Sequence, residues 1–460
     1  MFQRIEISQG DLPIYQQLAE VIAGKIASGE LVPGDRLPPQ RDIARMAGVN
    51  LTTVTRAFAT LQQRGLVESR PGRGSIVARP ATTASFKSSP SEAPGFTDLS
   101  VNRPATPAYL GVLAKLLPQL PADPRYSALQ DFHAPEGPDW AREALAQWLA
   151  PAVGAAEPAR VMVTNGAQHG LACVLGAIAR PGETVLADAV TYQGIGALCR
   201  SLELPLKAVA MDAGGMRPDV FEAVCATQAP RAVFLVPNLH NPTAITLDAG
   251  RRRAIAEIAR RHAVTIIEDD VYRPLADDPP PTFVSSDPDI TIHVSGFSKC
   301  VAPGLRLGAV VAPPRLLDDI AAMLRINCWS TGALTNLVAT RMIEDGSVDS
   351  VIAEQKAELR LRQAIIAEVL AGYELTASPT STHAWLSLPE PWHGNAFASA
   401  AQRAGVGVLP GEAFAIGRDL LPHAVRINAG AARSREELRR ALEILHSLLV
   451  DGHLHVDAKV

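Results

Sequence analysis

The sequence is short of cysteine and of long apolar runs. Its 460 residues include five widely spaced cysteines and no C-x-x-C pair: Cys173, Cys199, Cys225, Cys300 and Cys328. This pattern excludes a disulfide framework and a cysteine-rich zinc site, so no bound metal is expected. An apolar run of about 18 residues is absent, and no basic segment followed by an apolar one begins the chain. We therefore expect a cytoplasmic protein without a membrane partner.

Internal repeats are also absent at periods of about 20–50 residues, which excludes a repeat architecture. The net charge of −4 is small, but it is unevenly spread. Residues 1–80 carry 10 Lys and Arg against 7 Asp and Glu, whereas the remaining residues carry 33 against 40. A basic head on an acidic body suits a nucleic-acid contact at one end. The apolar content of 47% is ample for large cores.

The first 78 residues predict a compact helical domain that ends in a hairpin. One apolar face marks the first helix, formed by Ile14, Leu18, Val21, Ile22 and Ile26. A second helix is predicted over 40–47, Gly48 makes the turn, and Asn50 caps a third helix that ends at Gly65. Two strands, 66–69 and 75–78, flank a basic turn, Arg70-Pro-Gly-Arg-Gly74. This order of elements predicts a winged helix-turn-helix.

The third helix would enter the major groove of DNA with its N-terminal residues near the base edges. The side chains expected to face DNA there are Asn50, Thr52, Thr53 and Arg56. Arg41 would lie at the DNA backbone, and Arg70 and Arg73 would reach a minor groove or phosphates. The alternative is a small helical cap with an ordinary charged surface. That alternative leaves the agreement between turn, cap, apolar spacing and wing unexplained.

Three short motifs in this region resemble the GntR-type winged helix. They are Pro33-Gly-Asp-Arg-Leu-Pro-Pro-Gln-Arg41, Ala47-Gly-Val-Asn50 and Gln63-Arg-Gly-Leu-Val67. The resemblance covers about residues 11–78 and implies binding to a double-stranded DNA operator. Leu51 stands where many relatives have a basic residue, so the base preference of the family is not carried over.

A change of composition separates this domain from the rest of the chain. Residues 79–97 are rich in Ser, Thr, Ala and Pro and lack periodicity, which predicts a flexible linker. From residue 98 onward, short apolar runs alternate with amphipathic stretches. The predicted strands include 161–164, 184–187, 233–236, 264–267 and 291–294. This alternation predicts an α/β body over 98–460, with a mainly parallel sheet covered by helices on both faces.

The segment from Ser295 to Gly308 carries the strongest chemical signal. Lys299 follows the apolar run 291–294, and Arg306 comes seven positions later. A lysine that loses its proton in a desolvated site can form an imine with pyridoxal 5'-phosphate, and an arginine can bind the phosphate as a bidentate fork. A serine-lysine hydrolase is the alternative for Ser298-Lys299. That chemistry needs S-x-x-K, and position 296 is glycine.

Other loops at predicted strand ends carry groups that this cofactor uses. Asp269 could keep the pyridine nitrogen protonated, and Asp270 would point the other way. The alternative is that these two acids only terminate a strand. Asn241 and Tyr272 could hydrogen-bond the phenolic oxygen of the cofactor. Tyr192 could stack on its ring, although a tyrosine at this position could also serve packing alone.

Two anion sites are expected. Free N–H groups of Gly166, Ala167 and Gln168 could bind the phosphate at the start of the helix after strand 161–164. Near the end of the chain, Arg426 lies in an apolar strand, 424–428, where a buried guanidinium needs an anion. The carboxylate of an amino-acid ligand would supply that anion, and a structural salt bridge is the alternative.

The body resembles fold-type I aminotransferases over about residues 98–452. The matching positions are Gly166-Ala-Gln168, Asn241-Pro-Thr243, Asp269 with Tyr272, Ser298-Lys299 with Arg306, and Arg426. The resemblance implies a smaller C-terminal α+β subdomain, a cofactor contact from Ser298, and, in an active enzyme, catalytic roles for Lys299, Asp269 and Tyr272. Gly296 replaces a common hydroxyl residue. The loop 132–137 lacks a tyrosine common in relatives, so the tyrosine that would reach the partner subunit's phosphate is either missing or supplied by Tyr126.

The whole chain resembles a MocR-type regulator, in which a GntR winged helix is joined to an aminotransferase-like body. This resemblance implies a homodimer, with DNA-binding domains that are often exchanged between subunits. It also implies a transcriptional regulator that senses an amine or amino acid through imine exchange at Lys299. Two alternatives stay open: a working aminotransferase with a fused DNA-binding head, and a regulator whose effector is pyridoxal phosphate itself.

Overall fold

The computed structural model describes residues 13–27, 30–31, 34–63, 66–70, 74–77, 95–154, 157–417 and 422–457. Arg73 of the predicted wing and residues 79–94 of the predicted linker lie outside these ranges. For Arg70 only the backbone is described.

Three helices and a hairpin make up the N-terminal region: α1 (Ile14–Ala27), α2 (Gln40–Ala47), α3 (Leu51–Gln63), β1 (Val67–Arg70) and β2 (Gly74–Val77). The two strands pair antiparallel. Gly48 has a φ of 63° after α2, a conformation that favours glycine. The Asn50 side chain accepts a hydrogen bond from the Thr52 N–H at 3.1 Å and caps α3. The predicted winged helix-turn-helix is confirmed, with each strand displaced by one residue.

The apolar faces of these helices form a core of their own, which includes Leu18, Ile22, Val54, Phe58 and Leu61. These residues recur at three- and four-residue spacing, so one side of α1 and one side of α3 are buried together. The opposite side of α3 carries the exposed Arg56. The hydrophobic pattern therefore fixes which side of the predicted reading helix is available to DNA.

The first part of the body contains most of its strands: β3 (Thr97–Asp98), α4 (Ala108–Leu116), α5 (Asp139–Val153), β4 (Val161–Thr164), α6 (Ala167–Ile178), β5 (Val185–Asp188), α7 (Gln193–Ser201), β6 (Leu206–Val209), β7 (Met211–Asp212), β8 (Gly215–Met216), α8 (Pro218–Gln228), β9 (Ala232–Leu235), α9 (Ala249–Arg261), β10 (Thr265–Asp269), α10 (Phe283–Ser286), β11 (Thr291–Gly296) and β12 (Gly308–Val311). Seven of these strands form one sheet in the order β4-β12-β11-β10-β9-β5-β6.

This sheet is mainly parallel, as the sequence predicts. β12 runs antiparallel to its two neighbours, and the other pairs are parallel. Every strand except the edge strand β6 is buried along its whole length. Such continuous burial is expected of a parallel sheet covered on both faces. The predicted α/β class is confirmed.

The rest of the body is richer in helix: α11 (Leu317–Cys328), α12 (Ala333–Glu344), α13 (Ser347–Val369), β13 (Leu375–Thr376), β14 (His383–Ser387), α14 (Gly394–Arg403), β15 (Val406–Gly407), β16 (Leu409–Pro410), β17 (Ala424–Asn428) and α15 (Arg435–Asp457). A four-stranded antiparallel sheet has the order β13-β14-β17-β16. This is the smaller α+β part implied by the aminotransferase resemblance. β15 pairs in parallel with β3, which places the first strand of the body beside this C-terminal part.

Two strands are longer than the sequence predicts, and the difference affects the site. Asp269 is the last residue of β10, whereas the sequence places it just beyond the strand. β11 continues to Gly296, which pairs with Gly308 of β12. A side chain at Gly308 would lie 2.6 Å from the carbonyl carbon of Gly166. Glycine at 308 therefore lets the start of α6 approach the sheet edge closely.

No helix in the described ranges has both the length and the apolar character to cross a membrane.

Candidate cofactor and effector site

Lys299 lies three residues after the end of β11, at the carboxyl edge of the large sheet. Its amine is enclosed and donates a hydrogen bond to the main-chain oxygen of Asn102 at 2.9 Å. Burial lowers the pKa of Lys299 to about 8, and the positive charge of Arg426 acts in the same direction. A large neutral fraction near physiological pH makes this amine a competent nucleophile toward an aldehyde.

Asp269 faces the same cavity from the end of β10. Burial raises the pKa of this carboxyl to about 7, and the neighbouring Asp270 adds to the effect. One carboxyl oxygen of Asp269 is buried with no hydrogen-bond partner among the described residues. A buried carboxylate in this state is stabilised by a cationic N–H donor. A protonated pyridine nitrogen is such a donor.

Asp270 belongs to a different environment behind the sheet, as the sequence predicts. Its carboxylate accepts a hydrogen bond from the side chain of Asn238 at 2.6 Å. The same Asn238 accepts one from the guanidinium of Arg252 at 2.7 Å. Successive residues of extended backbone point to opposite sides, and this separates Asp270 from Asp269, the last residue of β10. Asp270 is thus part of a buried network and not of the cavity.

Tyr272 follows Asp269 closely and is 2% exposed. Its hydroxyl accepts a hydrogen bond from the side-chain amide of Asn102 at 2.8 Å. Its ring packs edge-on against His383, with the ring centroids 5.5 Å apart. Burial raises the pKa of the phenol, so Tyr272 stays protonated and can donate to an acceptor in the cavity.

The opposite wall of the cavity is formed by the start of α6. The first helical residue is Ala167, and helix N-termini leave N–H groups without partners in the helix. Arg306 donates a hydrogen bond to the main-chain oxygen of Asn165 at 2.9 Å. A side chain at Gly166 would lie 2.9 Å from the Arg306 guanidinium, so the two are in close contact. Helix start and guanidinium together provide a site for a phosphate.

Tyr192 stands beside this wall. Its hydroxyl donates a hydrogen bond to the side-chain oxygen of Gln168 at 2.8 Å. Burial raises the pKa of Tyr192 to about 12, so the ring is neutral at physiological pH. The predicted stacking role needs a ring that lines the cavity, and this ring does.

Arg426 lies in β17, is 3% exposed, and has no carboxylate among its hydrogen-bond partners in the part of the chain that the structure describes. It donates to the side-chain oxygen of Asn241 at 2.8 Å and to the main-chain oxygen of Ser100 at 2.6 Å. Its Nε is buried with no partner among the described residues. Burial lowers the pKa of this guanidinium to about 10. The geometry is that of a buried cation with unused capacity for an anion, and not of a salt bridge.

One cavity brings most of the predicted cofactor residues together. It is lined by Ala167, Gln168, Leu171, Tyr192, Val236, Asn241, Asp269, Val271, Tyr272, Gly296, Ser298, Lys299 and Arg306. Gly166 lies against Arg306 at the edge of this cavity. Arg426 is joined to the cavity by its hydrogen bond to Asn241. The residue types fit pyridoxal phosphate: an unpartnered carboxylate, an amine of lowered pKa and an anion-binding wall are each present.

Sequence reasoning missed three polar residues of this site, Ser100, Asn102 and His383, and the apolar lining residues Leu171, Val236 and Val271. Ser100 acts through its main-chain oxygen and Asn102 partly so, and every residue has such an oxygen. The side-chain contact of Asn102 joins it to Tyr272, 170 positions away, so no local sequence pattern marks either residue. They also lie in a segment without regular periodicity. His383 is fully buried beside Tyr272, and a lone histidine in an apolar strand gives no specific signal.

The predicted DNA-facing residues are placed as follows. Arg41, Asn50, Thr52 and Arg56 are exposed, and Thr53 is half-buried. Asn50 is engaged in capping, since its oxygen accepts from both the N–H and the hydroxyl of Thr52. The side chain of Arg70 and the whole of Arg73 lie outside the described residues.

Comparison with known proteins agrees with this arrangement. The family model "Aminotransferase class I and II" matches residues 94–445. The chain belongs to the aminotransferase class I and II family. A second model, "Bacterial regulatory proteins, gntR family", matches residues 14–77. This family member therefore carries a regulatory helix-turn-helix in front of its aminotransferase body.

Relatives that match along the whole chain are named as regulators. "Uncharacterized HTH-type transcriptional regulator YdeF" of Bacillus subtilis is 27% identical over 446 residues, covering 97% of this chain and 96% of its own. "Vitamin B6 salvage pathway transcriptional repressor PtsJ" of Salmonella typhimurium is 27% identical over 440 residues, covering 94% and 98%. The shared arrangement along the whole length favours a regulator.

Relatives that are aminotransferases match the body. "Aromatic-amino-acid aminotransferase 1" of Thermococcus litoralis is 24% identical over 62% of this chain and 72% of its own. The solved Pyrococcus horikoshii kynurenine aminotransferase superposes with a TM-score of 0.72 at 22% identity, covering 78% of this chain and 92% of its own. This structural likeness shows the fold, and members of the family generally depend on pyridoxal phosphate.

Proposed function

We propose that this family member is a cytoplasmic transcriptional regulator that holds pyridoxal phosphate on Lys299 and senses an amine or amino acid. Residues 1–78 would bind the operator, 79–97 would link, and 98–460 would bind the cofactor. The observation that carries the proposal is the convergence of Lys299, Asp269 and Arg306 on one cavity. The regulators that match over the full chain support the same function.

Each cavity residue has a distinct task in this proposal. Asp269 would hold the proton of the pyridine nitrogen, and Tyr192 would cover the ring. The start of α6 at 166–168, with Arg306 and Ser298, would bind the phosphate. Asn241 and Tyr272 would donate hydrogen bonds to the phenolic oxygen. Lys299 supplies the amine. When bound, the cofactor would supply an aldehyde carbon. The amine of Lys299 and the amine of an effector could each bond to this carbon in turn.

Arg426 distinguishes an amino acid from a simple amine. Its guanidinium is buried and holds two uncharged oxygens, so an effector carboxylate would gain a charged partner there. The effector must bind the two states of the body unequally to change DNA binding. The resemblance to MocR-type regulators implies a homodimer whose DNA-binding domains are often exchanged between subunits. Such a dimer would convert a change in the body into a change in the spacing of its two winged helices.

The test is a visible spectrum of the purified protein with pyridoxal phosphate, titrated with a panel of amines and amino acids. The wild type should form a coloured complex whose spectrum changes with some of these compounds, and its operator affinity should change with the same ones. Lys299→Ala should lose both responses. Lys207→Ala, at an exposed lysine, should keep them. An operator response that persists in Lys299→Ala would contradict the proposal.

A working aminotransferase is the second candidate, because Lys299, Asp269 and Tyr272, the residues with implied catalytic roles, line one cavity. Turnover with a keto-acid acceptor separates it from the regulator. Robust multiple turnover without promoter binding would favour the enzyme.

A third candidate has pyridoxal phosphate itself as the effector. The Salmonella relative named as a vitamin B6 salvage repressor supports it. Operator binding that follows the cofactor concentration without any amine would favour this candidate over amine sensing.

A further inference from the structure

Two main-chain oxygens of the segment 99–103 accept hydrogen bonds from the groups expected to bind ligands, the Lys299 amine and the Arg426 guanidinium. The main-chain oxygen of Asn102 accepts a hydrogen bond from the Lys299 amine at 2.9 Å. Two residues earlier, the main-chain oxygen of Ser100 accepts one from the Arg426 guanidinium at 2.6 Å. The amine that would carry the cofactor and the cation that would bind an effector carboxylate are thus both held by one short stretch of backbone.

The side chain of Asn102 makes a third contact in the same place. Its amide nitrogen donates to the Tyr272 hydroxyl at 2.8 Å and lies 3.4 Å from Nδ1 of His383. Its side-chain oxygen is buried without a partner among the described residues. A buried amide oxygen in this state favours any ligand that brings an N–H or O–H donor.

Main-chain bonds outside the cavity fix the position of Asn102. The N–H of Leu99 donates to the Gly407 oxygen at 2.8 Å, and the N–H of Asn428 donates to the Leu99 oxygen at 2.9 Å. On the other side, the N–H of Ala105 donates to the side chain of Gln355 at 2.7 Å. The segment is therefore anchored at both ends, and Asn102 is presented to the cavity between the anchors.

We propose that Asn102 is a positioning residue of the effector site, whose main-chain oxygen holds the Lys299 amine and whose side-chain amide holds the Tyr272 hydroxyl. This inference rests on the proposed function at Lys299. A lysine nitrogen in a covalent link keeps fewer N–H groups than a free amine, so its bond to Asn102 weakens. An effector carboxylate on Arg426 competes with the Ser100 oxygen. Cofactor attachment thus loosens the bond to Asn102, which an effector amine restores by freeing Lys299, whereas the effector carboxylate loosens the bond to Ser100.

The first test measures the pH midpoint of the cofactor absorbance in protein loaded with pyridoxal phosphate. Asn102→Ala should move the midpoint by about 0.5–1 pH unit, the shift expected for loss of one hydrogen bond. Tyr272→Phe should move it in the same direction. Because Asn102 acts through the tyrosine hydroxyl, adding Asn102→Ala to Tyr272→Phe should produce little further shift. A role limited to folding would leave the midpoint of the loaded protein unchanged.

Val101→Ala is the matched control, since it shortens a neighbouring side chain with no polar contact to the cavity, and its midpoint should equal that of the wild type. An unchanged midpoint in Asn102→Ala, or full additivity with Tyr272→Phe, would overturn the inference and leave the proposed function intact. A wild type that forms no adduct at Lys299 would overturn both.

A second measurement needs no variant and covers the case in which Asn102→Ala fails to fold. Amide hydrogen exchange at Thr97 and Leu99 reports on the bonds that these residues donate to Gly405 and Gly407. Their exchange should become faster when pyridoxal phosphate is attached to Lys299 than in the cofactor-free protein. Equal or slower exchange would contradict a loosened segment.

Discussion

The N-terminal winged helix and the aminotransferase body place their functional groups in opposite environments. In the winged helix, Arg41 and Arg56 are exposed. In the body, Asp269 and Arg426 are at most 4% exposed. An exposed arginine binds DNA mainly through its positive charge. A buried group has its pKa displaced, so the body can use proton affinity as well as charge.

This difference determines how each region responds to mutation. Removing an exposed side chain deletes one contact and leaves the fold unchanged. Removing a buried polar group also leaves its partner without a hydrogen bond, which adds a further cost. We therefore expect the largest effects in the body and the smallest in the winged helix.

Asp269→Asn is expected to have the largest effect on cofactor affinity. It removes the charge that would hold the pyridine proton, and a charged hydrogen bond in a buried site is worth about 2–3 kcal/mol. Affinity for pyridoxal phosphate should fall about 30- to 160-fold in an absorbance titration. Asp270→Asn is the matched control, since this acid belongs to the network behind the sheet. It should lower thermal stability and change affinity little, and equal losses of affinity in both variants would contradict the assignment.

Arg426→Ala should come next, with about 10- to 50-fold weaker binding of amino acids, since a charge-assisted pair with the carboxylate is lost. Binding of amines that lack a carboxylate should be nearly unchanged. Spectral titrations with an amino acid and its decarboxylated counterpart measure the difference. An equal loss for both ligands would mean that Arg426 serves the fold and not the carboxylate.

The pH dependence of cofactor attachment tests whether burial lowers the pKa of Lys299. The attacking form of Lys299 is the neutral amine, whose fraction rises as the pH passes its pKa of about 8. The attachment rate should increase about tenfold per pH unit below 8 and level off above it. Stopped-flow absorbance measures this rate. A midpoint near that of an exposed lysine, about 10.4, would contradict the effect of burial and of Arg426.

Arg56→Ala and Arg41→Ala should have the smallest effects, about five- to tenfold weaker operator binding, at the lower end of the range for one lost DNA contact. The cofactor spectrum should stay unchanged, because both side chains are exposed on the N-terminal region, whose hydrophobic core is separate from that of the body. Electrophoretic mobility shift at fixed salt measures the affinity. Unaltered operator affinity in both variants would mean that α3 is not the reading helix.

The sequence predicts the chemistry of the body well where side chains alone carry it. Lys299 and Arg306 are recognisable because their spacing after an apolar run is specific. The strand limits are less predictable: β10 reaches Asp269 and β11 reaches Gly296, because pairing across the sheet, which is not local in sequence, decides where a strand ends. The fold class follows from alternating patterns, which are local.

Asn102 shows what local patterns cannot reveal. Its contact with Lys299 joins residues 197 positions apart and uses a main-chain oxygen. The contact between Arg426 and Asn241 spans 185 positions and turns two separately predicted residues into one arrangement. In the winged helix, the sequence identifies Asn50 both as a cap and as a DNA contact, and the structure places its side chain in the cap.

Borohydride reduction of the protein with pyridoxal phosphate, followed by peptide mass spectrometry, shows whether the cofactor is joined to Lys299. We expect a fixed phosphopyridoxyl adduct on Lys299 in the wild type and no such adduct in Lys299→Ala. A wild-type protein that stays colourless with added cofactor, and whose Lys299 peptide keeps its unmodified mass after reduction, would contradict it.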